Sequence, residues 1–461
     1  MGEAVTKANG GTGFAAHSPR EVRPTDHPLR ARLGAEAHAR PFMTVDAPAR
    51  ISHLALLADR GGAASQHALL AGLCGAFGIE PPPADATHFT ADLGAGVRGL
   101  RLKWERHTEF ATYTFFLPAL TEAGADPFAA PAIAHVPSAW LESLDGMVLV
   151  AAHVGFEAGT PDDRGVDRAR VAQFFVGVPL AGSRVLDGGA EVWSDFRIRD
   201  DGYSRFLVRD LGLREAQAGR LIQRVLEIET YRMMALLAFP PARAAGPKIA
   251  EIDGALVQLT DAMTGGAAAQ DERGLLERLS RLSADIERLA AGTSYRFGAA
   301  AAYYALVEQR IDELREGRIE GVTTIGQFME RRLAPAMQTC QSVAARQEAL
   351  ALRVSRASQI LRARVDIALE DQNRALLSSM DRRAQLQLRL QETVEGLSVV
   401  VLSYYLIGLL GHVLKAAKPF GVALDIDVAL GVSVPIVVVL VWLAMRRLRR
   451  RLTRRASSTT G

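Results

Sequence analysis

The stretch KWERHTEF, residues 103–110, sets ionisable side chains at alternate positions. Read as one extended strand, its period of two puts Lys103, Glu105, His107 and Glu109 on one face. Trp104 and Phe110 share the other face with Arg106 and Thr108. Two carboxylates flanking an imidazole suit a divalent cation. Glu105, His107 and Glu109 are therefore the candidate metal ligands, and a divalent cation is the one cofactor this pattern suggests. The plain alternative is a salt-bridged polar sheet face beside basic strands such as FRIR, residues 196–199.

Two further groups have the residue types for chemistry. In EAHARP (36–41), His38 and Arg40 fall in a turn, where a lone His is more often a structural hydrogen-bonder than a catalyst. Over 215–239, helical spacing aligns Arg220, Gln223, Arg224, Glu227 and Tyr231 in one stripe opposite Leu221, Val225 and Ile228. Such a stripe is normally a solvated face or a network between elements. The sequence holds no Walker A loop, no G-x-G-x-x-G leading from a strand into a helix, no H-E-x-x-H and no G-x-S-x-G. No catalytic or cofactor-binding residue is assigned, and enzymatic function is disfavoured without being excluded.

The elements that must position these residues change character along the chain. Strand signals lie at 50–58, 96–118, 146–156, 171–180, 191–199 and 203–210, with Asp-Gly at 201–202 as a hairpin turn. Helical patterns are predicted at 64–78 and 138–144, the latter capped by Ser138. From 213 the chain reads as helix, with a stop at Pro240–Pro241 and a break over 317–328. Residues 336–395 contain neither Gly nor Pro, and apolar residues recur at helical spacing, among them Leu361, Leu369, Leu376, Met380, Leu390 and Val394. One long helix running on to about 414 is expected, supported sideways by a bundle or coiled coil.

Two apolar segments close the sequence. Residues 396–414 carry no Asp, Glu, Lys or Arg, and residues 428–445 are uncharged throughout. Both are near the ~20 residues that span a bilayer core. Arg382, Arg383 and Arg389 precede the first and seven Arg follow the second, while the loop 415–427 balances two Lys with two Asp. The positive-inside rule predicts both flanks in the cytoplasm and the loop outside. Ser403, Gly408 and Gly411 are small residues that let helices approach, either within one hairpin or as a seam between subunits around a pore.

The expected fold is thus an α/β (or α+β) N-terminal cytoplasmic domain, then a long α-helical stalk and a two-helix transmembrane hairpin. The boundaries are a disordered arm 1–26, the α/β domain 27–212 and a helical domain 213–335. A stalk helix 336–394, spans 395–414 and 428–445 around a periplasmic loop 415–427, and a basic cytoplasmic tail 446–461 follow. The expected location is the inner membrane, with the lipid bilayer and further copies of the chain as partners.

Composition narrows the classes further. Removing the tail's seven Arg from the formal net charge of +3 leaves −4, so the basic balance gives no argument for a nucleic-acid partner. Cys74 and Cys340 stand far apart and neither sits in a C-x-x-C pattern, which argues against a disulfide scaffold or zinc ribbon and fits a reducing compartment. The first residues lack the apolar core of a secretory leader.

The stretches HPLRARLGAEAHARPF (27–42), LKWERHTEF (102–110), VWSDFRIRDDGYSRFLV (192–208) and GRLIQRVLEIETYRMMALLA (219–238) resemble an uncharacterised bacterial family, domain-of-unknown-function family 3422. The resemblance covers about 27–445. It implies membrane attachment and brings no catalytic residue. The order of elements is also similar to that of CorA-type divalent-cation channels, which are pentamers. Their outer loop begins with a Gly-Met-Asn signature, whereas the first span here ends GHVLKAAKPFG, so their selectivity residues have no match. The function expected is a two-pass membrane protein acting as a CorA-like oligomeric cation channel or sensor, or alternatively as a tethered scaffold or signalling protein without transport.

Overall fold

The computed structural model describes residues 26–30, 33–34, 42–58, 62–94, 98–119, 126–159, 168–175, 180–214, 216–264, 272–417 and 425–456. Residues 1–25 of the expected arm, His38 with Arg40, and 418–424 of the expected outer loop lie outside them. The chain divides into two compact units, residues 1–260 with 280–355, and residues 261–279 with 356–461.

The first unit is built on a nine-stranded sheet. Its strands are β1 (Ala49–Leu57), β2 (His88–Asp92), β3 (Arg101–Arg106), β4 (Phe110–Pro118), β5 (Val148–Ala158), β6 (Ala181–Val185), β7 (Ala190–Ser194), β8 (Ser204–Asp210) and β9 (Gly317–Arg318). Their order is β2-β3-β4-β1-β5-β8-β7-β6-β9. The β5–β8 pair is parallel and the others are antiparallel. The helices are α1 (Gly62–Ala76), α2 (Ser138–Glu142), α3 (Arg168–Gln173), α4 (Gln217–Leu236), α5 (Phe239–Thr264), α6 (Glu272–Leu314), α7 (Ile325–Arg332), α8 (Ala334–Ala417) and α9 (Ile426–Ala456).

Register explains the two faces of the sheet. Leu54, Tyr113, Trp104 and Phe89 are successive cross-strand neighbours on β1, β4, β3 and β2. They form one apolar row, packed with Leu70, Leu73 and Cys74 of α1 and Trp140 of α2. One residue along each strand the side chains point the other way. There the row is His53, Thr114, Lys103 and Thr90. That second face is polar and lies under α4 and α6.

Four sequence expectations are corrected. The stretch 103–110 is not one strand: β3 ends at Arg106, and the His107 amide donates to the Phe110 carbonyl at 2.8 Å to close a hairpin into β4. VAQFFVGVPL does not open as a strand, because Val171, Phe174 and Phe175 bury at i, i+3, i+4 spacing against Phe128, Trp193 and Leu207, which one helical turn satisfies. FRIR is loop, since β7 ends at Ser194. Pro137, with extended backbone and no side-chain bond, caps α2, and Ser138 is its first helical residue.

In the second unit α8 meets the end of α5 and the start of α6. Leu361, Met263, Leu275 and Leu279 are each buried, and Arg364 Nη1 donates to the Met263 carbonyl at 2.6 Å. Beyond that point Leu369, Leu376, Met380, Leu390 and Val394 are all exposed. Two helical stretches, within Ile325–Lys415 and over Asp427–Arg447, are long and apolar enough to cross a membrane, and almost none of either apolar window is covered by protein.

Candidate functional site

A cavity of about 240 Å³ lies between the polar face of the sheet and helices α4 and α6. The sheet contributes His53, Lys103 and Glu105 from β1 and β3, and the helices contribute Gln223, Glu227 and Arg310. Gly219 of α4 lets the segment before β1 lie directly on the helix, because a Cβ there would come within 1.7 Å of the Met43 carbonyl oxygen. Phe42 is held on the same helix by the Arg220 guanidinium, 4.8 Å from its ring centre.

The back wall is fixed by His53. Its Nδ1 lies 2.8 Å from Thr114 Oγ1 and its Nε2 lies 3.1 Å from Thr230 Oγ1. The Thr230 hydroxyl donates to the Leu226 carbonyl at 2.8 Å, so toward His53 it can only accept. The proton therefore sits on Nε2, and Nδ1 accepts from Thr114. Burial, with the Lys103 charge and His107 adding to it, lowers the His53 pKa to about 3, so the ring is neutral.

Two ion pairs face into the space. Lys103 is 95 % buried, and its Nζ lies 3.1 Å from Glu105 Oε2 and 3.1 Å from Gln223 Oε1. Arg310 pairs with Glu227, which also accepts from Gln223 Nε2 at 2.7 Å. Arg310 Nη1 and Arg224 Nε reach Glu313 at 2.8 and 2.9 Å. Burial would lift the Glu313 carboxyl, yet its bond from Arg224 and the charge of Arg310 hold it below its ordinary value. Of the α4 stripe, Gln223, Arg224, Glu227 and Tyr231 thus belong to the cavity wall and the α4–α6 network, with Tyr231 stacked on Tyr303 at 5.9 Å, while Arg220 holds Phe42.

The candidate metal ligands separate. Glu105 and His107 line the cavity, the latter stacked on Phe110 at 4.3 Å. Glu109 follows the turn and pairs with Arg296, while accepting from Tyr303 Oη at 2.9 Å. Burial, then that bond, raises the Tyr303 pKa. Among the described residues no three His, Cys, Asp or Glu side chains gather as a metal-ion site. Sequence reasoning missed His53, Thr114, Thr230 and Arg310. The signal available for the first two was a polar residue embedded in an otherwise apolar strand.

Residues 25–452 match the model of a family described as a protein of unknown function, DUF3422. The chain belongs to that family. DUF3422 membership assigns no residue of the cavity. No curated protein and no solved structure matches the chain, so neither comparison supports the similarity to CorA-type channels.

The small residues of the first apolar segment also separate. Ser403 is 3 % exposed, and its hydroxyl has no partner among the described residues. A Cβ on Gly411 would meet Leu430 of α9 at 3.4 Å, whereas one on Gly408 would meet nothing within 4 Å. Gly408 and Gly411, three residues apart, lie on the same side of the helix, yet only Gly411 comes against α9.

Proposed function

We propose that this DUF3422 protein is a membrane-tethered binding protein whose sheet–helix unit takes a small polar molecule into the cavity. The carrying observation is a partly enclosed space in which charges of both signs are held by bonds to the protein rather than to one another alone. Preformed concave sites with a few convergent polar groups are the usual form of small-molecule sites. Both nitrogens of His53 are in use, which suits binding rather than proton transfer. The two apolar helices supply the tether, and the Arg-rich tail favours an inner-membrane hairpin with both flanks in the cytoplasm.

The test uses full-length chain in nanodiscs, wild type and Thr112→Phe, incubated with a cellular small-molecule extract. Thr112 lines the cavity and Phe fills part of it. Retained molecules are then released and identified by mass spectrometry, with thermal melting as the folding control. Wild type should retain a molecule that a folded Thr112→Phe does not. Identical retention profiles would sink the binding reading.

A second reading, an oligomeric cation channel or sensor, is favoured by the exposed apolar side chains of α8 between Leu369 and Val394. Further copies of the chain would cover them, and a pore needs several subunits around an axis.

A further inference from the structure

Building on the binding reading above, we infer that the cavity takes a small zwitterion carrying an ammonium and a carboxylate group, as a free amino acid does. The first reason is the hydrogen-bonding capacity left over. Thr114 and Thr230 are committed to His53, and Thr230 also to Leu226. Two of the four lining residues with hydroxyls, Thr112 and Tyr231 being the others, are thus engaged. The charged groups keep capacity beyond their own pairs. Lys103 has three N–H groups and gives two to Gln223 and Glu105. Arg310 gives Nε to Glu227 and Nη1 to Glu313, which leaves Nη2. Glu105 receives Lys103 on Oε2, which leaves Oε1. A carboxylate fits the two cations and an ammonium fits Glu105.

The second reason is charge balance. Lys103 and Arg310 offset Glu105 and Glu227 around one space. A ligand with a single charge would bring an uncompensated charge into a partly buried site, which is costly. A zwitterion brings no net charge and can exchange partners with both ion pairs. Size is the third reason. The 240 Å³ cavity falls below the roughly 300–1,000 Å³ of sites for drug-sized ligands.

Isothermal titration of the full-length chain in nanodiscs tests this with the standard L-amino acids as probes. Each binder is compared with its desamino carboxylate and its decarboxylated amine, and xylitol and ribose form the neutral arm. At least one amino acid should bind saturably, and each single-charge counterpart should bind at least tenfold more weakly. Glu105→Gln should weaken the amino acid at least tenfold and leave the desamino carboxylate within about twofold. The counterpart series on wild type decides alone if that variant fails to fold. A polyol, a lone carboxylate or a lone amine binding as tightly as any amino acid overturns the zwitterion assignment. So does silence of every amino acid while the extract experiment still recovers a retained molecule, an outcome that leaves the cavity reading standing. Silence together with an empty extract removes both.

Discussion

His53 Nε2 lies 3.1 Å from Thr230 Oγ1, so a buried bond joins β1 to α4 across 177 residues of sequence. With the Thr114 bond on Nδ1 it ties two strands and a helix at one ring. Such a knot holds only while the imidazole is neutral, because a protonated ring would be a donor at both nitrogens and would carry an unpaired buried charge beside Lys103. His153 repeats the situation on the opposite face. Its Nδ1 is 3.0 Å from Ser52 Oγ, and its ring stacks on Tyr203 at 3.9 Å.

Acid should therefore destabilise the fold well above the carboxylate range. Burial lowers His53 to about 3 and His153 to about 4, against 6.5 for an ordinary His. As pH falls below 6.5 the unfolded chain takes up these protons and the folded one does not, so stability is complete above that pH and is lost on the way down. Each ring contributes a slope of up to about 1.4 kcal/mol per pH unit. Thermal melting of wild type and His53→Gln between pH 7.5 and 4.5 checks this. The variant should start lower and fall less steeply, and parallel slopes would rule out a buried neutral His53.

Much of the fold was legible because its signals were local. The uninterrupted run 336–395 appears inside the single helix α8, and Asp-Gly at 201–202 connects β7 to the antiparallel β8 with Gly202 at φ +83°. The β3–β4 turn was not legible, because Thr108 and Glu109 carry none of the Gly or Asn chemistry that marks a tight hairpin. Period two therefore runs through it and sets Glu109 beside Glu105 and His107, whereas past the turn its partners are Arg296 and Tyr303 of α6. The cavity needed long-range partners. Glu105 and Gln223 could be named from their own patterns, but nothing near Lys103 in sequence says that α4 will lie over it.

Glu109 now has a testable structural role. It joins the β3–β4 turn to α6 through Arg296 and Tyr303, at 11 % side-chain exposure. Hydrogen bonds to charged groups contribute about 1.5–3 kcal/mol. Glu109→Ala should lower the melting temperature by several degrees, and Glu109→Gln, which keeps an acceptor for Tyr303, by less. Full retention of zwitterion binding in Glu109→Gln would place this residue outside the site, where its position predicts it.

Membrane orientation is checked by single cysteines. Cys74 and Cys340 are buried and give little background to an impermeant thiol reagent. With both flanks cytoplasmic, Ala423→Cys should label from outside spheroplasts and Ser457→Cys only after lysis. Outside labelling of the tail position would overturn the hairpin orientation.

The last prediction separates packing within one chain from packing between chains. Gly411 faces Leu430 of its own α9, so Leu at 411 must displace that side chain, at a cost of about 1–3 kcal/mol. Gly408 faces open space, so Leu at 408 should leave the hairpin untouched. Ser403 is buried with no bond for its hydroxyl, so Ser403→Ala should be neutral or slightly stabilising. In the tether reading, only Gly411→Leu lowers the melting temperature, and proteoliposomes of wild type carry no magnesium, cobalt, nickel, zinc or potassium flux. In the channel reading, the open face at Gly408 is where a neighbouring copy approaches. Gly408→Leu would then reduce the oligomer mass in nanodiscs and abolish a flux that wild type displays. A correctly inserted wild type silent for every one of those ions, with Gly408→Leu of unchanged mass, removes the channel reading and leaves the tether.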